Sequence, residues 1–131
     1  MAQLRCVVVT PEETAIDQEA TFVVVPLFDG ELGIGLGHSP LIGRLGFGEM
    51  RVTGADGRSS RYYVDGGFVQ VSGNVVTVLT GRTFPASEVD VDQARQQLVE
   101  AMRRPTYTDE LLELRDRSVL QARAQIRIGG Q

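Results

Sequence analysis

The first 86 residues consist of short apolar runs separated by polar or glycine-containing segments. Each run has the length of a strand and is rich in β-branched or aromatic residues, a pattern typical of an antiparallel β-sandwich or barrel. The runs are LRCVVV from Leu4, TFVVVP ending at Pro26, EMRVT from Glu49, RYYVD from Arg61, FVQVS from Phe68 and VVTVLT from Val75. Apolar and polar residues alternate in FVQVS and VVTVL, which predicts a sheet with one covered face, so that two facing sheets bury both sets.

Glycine and asparagine mark the joints between these runs. Residues 54–57 (GADG) and 72–74 (SGN) place them where tight hairpin turns require a positive φ. Residues 65–67 (Asp-Gly-Gly) also lie between two runs, and we interpret them as a turn in preference to a lone functional acid, because these residue types strongly favour turns. The sequence therefore predicts a sandwich domain over residues 1–86.

From Glu88 onward the apolar period becomes that of a helix. Asp90 followed by Gln93 resembles a capping box, in which the carboxylate accepts a backbone N–H, so the first helix should begin near residue 91. Charged and amide residues lie outside its apolar stripe, which consists of Val91, Ala94, Leu98 and Ala101. Pro105 should end this helix.

A second helix is predicted after the turn at Tyr107 and Thr108, with apolar residues at sevenfold spacing until two glycines stop it. Its stripe consists of Leu112, Val119 and Ile126, supported by Leu111 and Ala122, and the glycines are Gly129 and Gly130. The predicted fold class is mainly β with an α appendage: an N-terminal antiparallel β-sandwich followed by a C-terminal antiparallel two-helix hairpin over residues 87–131. Because the stripes are rich in alanine, we expect the hairpin to be weakly attached to the sandwich.

The composition excludes several classes of function. The formal net charge is -4 and all 13 basic residues are arginine, so neither a nucleic-acid surface nor chemistry that needs lysine is expected. Cys6 is the only cysteine and His38 the only histidine, which rules out an internal disulfide and a common structural zinc site. We find no signal-peptide pattern and no apolar stretch long enough to cross a bilayer, and therefore expect a cytosolic protein.

The most unusual segment is DGELGIGLGHSPLIG, residues 29–43, which holds the histidine. Its GIGLG core lacks the G-x-G-x-x-G spacing of a dinucleotide loop, and Pro40 follows where such a loop would enter a helix. His38 has no second metal ligand and no nucleophile beside it, so a turn or interface histidine is the favoured interpretation. We therefore predict no catalytic residue and no metal, and interpret the segment as an interaction loop.

Two segments resemble a known family. DGELGIGLGHSPLIGRLGFGEMRV and YYVDGGFVQVSGNVVTVLT are similar, in order and separation, to the signature segments of the epsilon subunit of the bacterial rotary F-type ATP synthase. The resemblance implies a non-catalytic central-stalk (rotor) subunit of a proton-translocating ATP synthase, coupling the membrane c-ring to the gamma shaft. It also implies that the C-terminal hairpin inhibits ATP hydrolysis. The implied partners are gamma, the c-ring and the catalytic alpha/beta head, which alone would hold the subunit peripherally at the cytoplasmic face of the bacterial inner membrane.

The resemblance implies roles for particular residues as well. The turn over residues 29–36 would face the c-ring, through Asp29, Glu31, Leu32, Ile34 and Leu36. The side towards gamma would include Thr10, His38 and Gly43. The inhibitory contact of the hairpin with acidic segments of the catalytic subunits would be made by Arg115, Arg117, Arg123 and Arg127.

Asp92 and Arg95 match the nucleotide motif of the family on the first helix, but Gln96 stands where the family has alanine. The larger amide would crowd a bound base or phosphate, so we expect weak ATP binding or none, and no cofactor. Without the resemblance, the two matching residues are a solvated ion pair at i, i+3 spacing.

A second class of function stays open on the residues alone. A free-standing β-sandwich with a helical tail would bind a small ligand or a glycan. The two classes differ in whether the chain has stable partner proteins. A rotor subunit should co-purify with gamma and the larger synthase, whereas a binding module should be monodisperse by itself.

Overall fold

A computed structural model of the chain describes residues 3–130, which form eight β-strands, one 3₁₀ turn and two α-helices. Met1, Ala2 and Gln131, which the predicted domain bounds include, lie outside the described residues. The strands are β1 (Leu4–Val9), β2 (Thr14–Ala20), β3 (Phe22–Leu27), β4 (Gly30–Ile34), β5 (Leu41–Thr53), β6 (Ser59–Ser72), β7 (Val75–Leu79) and β8 (Thr83–Pro85). The 3₁₀ turn Ala86–Glu88 leads into the helices α1 (Val91–Arg103) and α2 (Asp109–Gly129).

The strands hydrogen-bond in the order β2-β1-β7-β6-β5-β3-β4, with β8 paired to β6. Every pair is antiparallel except β1 with β7, which is parallel and was not predicted. The folded sheet encloses a core of apolar side chains from β1 to β7, such as Cys6, Val25, Ile34, Met50 and Val76. The predicted fold class, a β-sandwich with a helical appendage, is confirmed.

Two of the predicted joints are turns and one is not. Residues 54–57 and 72–74 connect β5 to β6 and β6 to β7, and Asn74 has the positive φ (63°) that a tight hairpin requires. The turn predicted at residues 65–67 is wrong, because these residues lie inside β6, which joins two predicted runs into one strand. Local composition cannot separate a glycine pair in a turn from one inside a long strand.

The glycine pair instead changes which side of β6 faces the core. Gly66 and Gly67 have φ of 73° and 106°, and a Cβ on Gly67 would lie 1.8 Å from the carbonyl oxygen of Leu79. Val64 and Val69 both belong to the sandwich core although they are an odd number of residues apart, whereas same-face residues of a regular strand are separated by an even number. Tyr63 and Asp65, which alternate with Val64 just before the pair, therefore face the helices.

The first helix matches its prediction, and the second does so in part. The carboxylate of Asp90 accepts a 3.0 Å hydrogen bond from the backbone N–H of Gln93, and α1 begins at the next residue. Within the predicted stripe of α2, Val119 is buried but Leu112 is 39% exposed. The helix also has a second buried face, formed by Ala124 and Ile128 against β6 and the 3₁₀ turn, which the sevenfold spacing did not predict.

Candidate functional site

The segment predicted to face the c-ring is a strand with a turn at each end. Phe28 and Asp29 form the β3–β4 turn, which is closed by Gly30 at a φ of 143°. At the other end of β4, Leu36 lies in a second turn and is 50% exposed. Residues 29–36 therefore present two separate tips.

The remaining predicted ring residues lie along β4. Glu31 is exposed, Leu32 is half-buried and Ile34 is completely buried in the sandwich core. The side chain of Ile34 is therefore unavailable for a contact with another subunit, because β4 alternates and residue 34 falls on the inward face.

The three residues predicted to lie towards gamma are not brought together. Thr10 follows β1 and donates its hydroxyl to the carbonyl of Glu13 at 3.2 Å. His38 is half-buried beyond the opposite end of the sheet, with its Nδ1 at 2.8 Å from the carbonyl oxygen of Ser39. Gly43 faces inward, since a Cβ there would lie 3.2 Å from Leu27.

An exposed apolar surface lies between these positions. We call it the outer apolar patch and define it as Ile42 (77% exposed), Phe68 (55%), Val75 (36%) and Leu79 (51%). Phe68 and Leu79 are direct cross-strand partners on β6 and β7, and Ile42 lies on the adjacent β5. The patch was not predicted from the sequence, because the alternate residues of these strands were expected to face water. Large apolar residues at those outward positions were the available signal.

The predicted nucleotide residues form the exposed ion pair of the simpler interpretation. Arg95 and Asp92 are 3.8 Å apart, with side chains 66% and 91% exposed. A cavity of about 270 Å³ lies beside α1 and α2, but neither residue lines it, whereas Gln96 does. Weak or absent ATP binding stays a prediction.

The four arginines predicted to inhibit do not share one face of α2. Arg115 pairs with Asp116 at 3.2 Å, while Arg123 and Arg127 are exposed. Arg117 reaches the sandwich, with a guanidinium nitrogen 3.9 Å from the carboxylate of Asp65 and its guanidinium carbon 5.9 Å from the ring centroid of Phe47.

Asp65 is the centre of the polar contact between α2 and the sheet. Its side chain is 7% exposed and accepts hydrogen bonds from the hydroxyl of Tyr63 and from Nε2 of Gln121, the latter at 3.0 and 3.2 Å to the two carboxylate oxygens. Burial and the bond to Asp65 raise the pKa of Tyr63, so its phenol stays protonated as the donor. We call Asp65, Tyr63, Gln121 and Arg117 the Asp65 cluster.

A row of ion pairs crosses the same face of the sheet and ends on α2. Arg51 contacts Glu31 at 3.1 Å and Glu49 at 3.2 Å, and Arg61 contacts Glu49 at 2.7 Å. Arg61 also donates a 3.1 Å hydrogen bond to the carbonyl of Ile128 in the last turn of α2. Burial opposes ionisation of Glu49, but the hydrogen bonds from the two arginines outweigh it and lower its pKa.

The described residues offer no metal centre and no membrane-spanning helix. Across residues 3–130, no group of three or more His, Cys, Asp or Glu side chains is placed to hold a metal ion. Neither helix within that range is long and apolar enough to cross a bilayer. What the molecule offers is a set of surfaces: the outer apolar patch, the tips at either end of β4, and a helix pair docked on the sheet.

The strand order and the helix pair docked on the sheet define a class of β-sandwich proteins with a C-terminal helical hairpin. Residues 3–86 match the family of the β-sandwich domain of the ATP synthase delta/epsilon chain. The ATP synthase epsilon chain of Rhodopirellula baltica is 51% identical over 124 residues, covering 95% of this chain and 96% of the relative. The chain therefore belongs to the family of ATP synthase epsilon chains, which confirms the resemblance found in its sequence.

Solved structures agree on the fold. A chain of the Euglena gracilis mitochondrial ATP synthase (OSCP/F1/c-ring, rotational state 1) superposes with a TM-score of 0.84 at 20% identity, covering 95% of this chain and 79% of that one. A chain of the central stalk and c-ring of the Tetrahymena thermophila mitochondrial ATP synthase gives a TM-score of 0.76 at 14% identity, covering 98% and 97%. At these identities the likeness concerns the fold alone, and it extends over the helices as well as the sandwich.

Proposed function

We propose that the chain is a non-catalytic rotor subunit that couples the c-ring of a proton-translocating ATP synthase to the gamma shaft. The observation that carries this proposal is the outer apolar patch, because large apolar side chains grouped on adjacent strands mark a surface that is covered by a partner. The subunit would lie peripherally at the cytoplasmic face of a bacterial inner membrane, held there by its partners.

The gamma shaft is the partner proposed for the patch. Ile42 and Arg44 flank Gly43 and point outward from β5. The strand would therefore contact gamma through Ile42 and Arg44, while Gly43 itself faces inward. Thr10 and His38 lie beyond opposite ends of the neighbouring strands and would form the rim of the same contact.

Replacing one patch residue by arginine tests this contact. Phe68→Arg should abolish co-purification with gamma, because a charge would be buried at the centre of an apolar interface. Val99→Arg on α1 is the matched control, since Val99 is also apolar and 49% exposed but lies away from the patch. Retention of gamma by Phe68→Arg would overturn the proposal. An unmodified chain that purifies without any partner would favour the free-standing binding module instead.

The c-ring contact is proposed for the tips of β4 and its exposed acid. Asp29 and Glu31 would meet the polar loops of the ring, with Leu36 and the half-buried Leu32 beside them. A cysteine in place of Glu31 should cross-link to a cysteine in the ring loop. A cross-link formed from His38→Cys instead would show that the sandwich is oriented the other way.

The helix pair is proposed to regulate the complex. It would leave the sandwich and reach acidic segments of the catalytic alpha/beta head, where its arginines oppose rotation in the direction of ATP hydrolysis. All four arginines are at least partly exposed on the docked helix, and Arg117 in addition has to leave Asp65. Docking and inhibition therefore compete for the same helix.

A further inference from the structure

We propose that Asp65 is a positioning residue that holds α2 on the sheet, so that loss of its carboxylate releases the helix pair. This inference rests on the proposed regulatory function and names the contact that controls it. Nothing in the sequence around residue 65 pointed to this role, because its two partners on α2 lie far along the chain.

The Asp65 cluster connects two elements by a buried carboxylate. Tyr63 belongs to the same strand and stays beside Asp65 whether or not α2 is docked, and the backbone N–H of Asp65 donates to the hydroxyl of Thr80 at 2.9 Å. Gln121 and Arg117 are contributed by the helix alone. The carboxylate is thus fixed in advance by the sandwich, and the helix supplies one hydrogen-bond donor, Gln121, and one cation, Arg117.

The apolar part of the same contact is small. Ala124 and Ile128 are the buried helix residues in it, packed on Tyr63 and Ala86 with Phe47, Phe84 and Val89 at the margin. The helix contributes one large buried apolar side chain to this cluster, Ile128, and one methyl, Ala124, so the polar contacts add a substantial share of the docking free energy. A buried carboxylate is tolerated only where donors satisfy it, which makes docking selective for one placement of the helix.

A second polar contact fixes the other end of the same helix face. Arg61 donates to the carbonyl of Ile128, seven residues beyond Gln121. Seven residues correspond to two turns of a helix, or about 10 Å. The two contacts together set the register of α2 on β6. Of the two side chains that β6 contributes, the carboxylate of Asp65 is the one that is buried beneath the helix.

Spin labels on the full-length chain measure docking directly. Phe28 (68% exposed) and Leu120 (53%) both line a groove of about 670 Å³ between the β3–β4 turn and α2, so spin labels attached to Phe28→Cys and Leu120→Cys report the separation of helix and sheet. Native Cys6 is buried and burial raises its pKa to about 11, so it stays unlabelled at pH 7.

Asp65→Ala and Gln121→Ala should each raise the population with a long interlabel distance by roughly tenfold, since each removes hydrogen bonds to a charged group. The double variant should open no further than the more open of the two single variants, because both remove one interaction. Asp56→Ala, in the exposed β5–β6 turn, is the control and should leave the distances unchanged.

Unchanged distances in Gln121→Ala and Arg117→Ala, two changes on α2 that leave the sheet intact, would overturn the proposal even if Asp65→Ala failed to fold. ATP hydrolysis by the assembled complex separates the two levels of inference. Variants that open without slowing hydrolysis would refute the inhibitory role of the helix pair and leave the docking role of Asp65 standing. Variants that slow hydrolysis without opening would refute the docking role alone.

Discussion

Among the described glycines, Gly67 is the one at which an added Cβ would come nearest to another atom. Its φ of 106° is strained for any other residue, and a Cβ would collide with the backbone of Leu79. We expect Gly67→Ala to lower the free energy of unfolding by about 3 kcal/mol or more, measured by urea denaturation. Gly73 also has a positive φ, of 58°, but a Cβ there meets open space, so Gly73→Ala should cost only about 1 kcal/mol. Equal losses in the two variants would contradict this account of β6.

Single residues also show why local patterns reach only part of the functional surface. The cap at Asp90 and the turn at Asn74 depend on neighbours a few residues away, and both were predicted. Asp65 was interpreted as part of a turn because its partner Gln121 is 56 residues distant and only the tertiary fold joins them. Ile34 was expected at a contact with another subunit for a similar reason, since the strand that turns it inward was not predicted.

At the scale of elements, the ion pairs that join β4, β5 and β6 make the stability of the fold sensitive to acid. The pKa of Glu49 lies below its ordinary value of 4.5, so the stabilisation it gives is present above about pH 4.5 and is lost as pH falls through the folded-state value. Glu49→Gln should lower the free energy of unfolding at pH 7 by about 1–3 kcal/mol and flatten the acid limb of its pH dependence.

Thermal unfolding across a pH series checks this expectation. Glu113→Gln serves as its control, because Glu113 is exposed on α2 and the change removes the same charge. A variant at residue 49 that unfolds like the control at every pH would show that Arg61 is held in place by other contacts.

The elements that were predicted and those that were missed differ in composition. β1 and β7 are rich in valine, and the helices carry capping residues, so both kinds of element were found. β2 (TAIDQEA) and β4 (GELGI) are polar or glycine-containing and lie at the two ends of the sheet order, where one long side needs no partner strand. Sequence patterns therefore predicted the centre of the sheet better than its margins.

At the scale of the whole molecule, the helix pair is the part whose removal should change regulation and spare coupling. A chain ending at Glu88 keeps the outer apolar patch and β4, so the complex should assemble and synthesise ATP. Its ATP hydrolysis should rise, because the arginines proposed to inhibit hydrolysis are gone. Neutralising Arg115, Arg117, Arg123 and Arg127 should reproduce part of the rise and lower its dependence on salt. Hydrolysis that is no faster after truncation, at any ionic strength, would leave the coupling role alone.

The parallel pairing of β1 with β7 has a consequence for how the chain acquires its structure during synthesis. Arg5 pairs with Val75, so the first strand cannot take its place until nearly the entire sandwich sequence has left the ribosome. Until then β1 forms at most a hairpin with β2, and the backbone N–H and C=O groups along its other edge remain open to non-native strand pairing. Contacts this distant in sequence slow folding, because loop closure must precede them. Closure of the sheet is therefore a late event, and the nascent chain is most prone to aggregate in the interval before β7 has been synthesised.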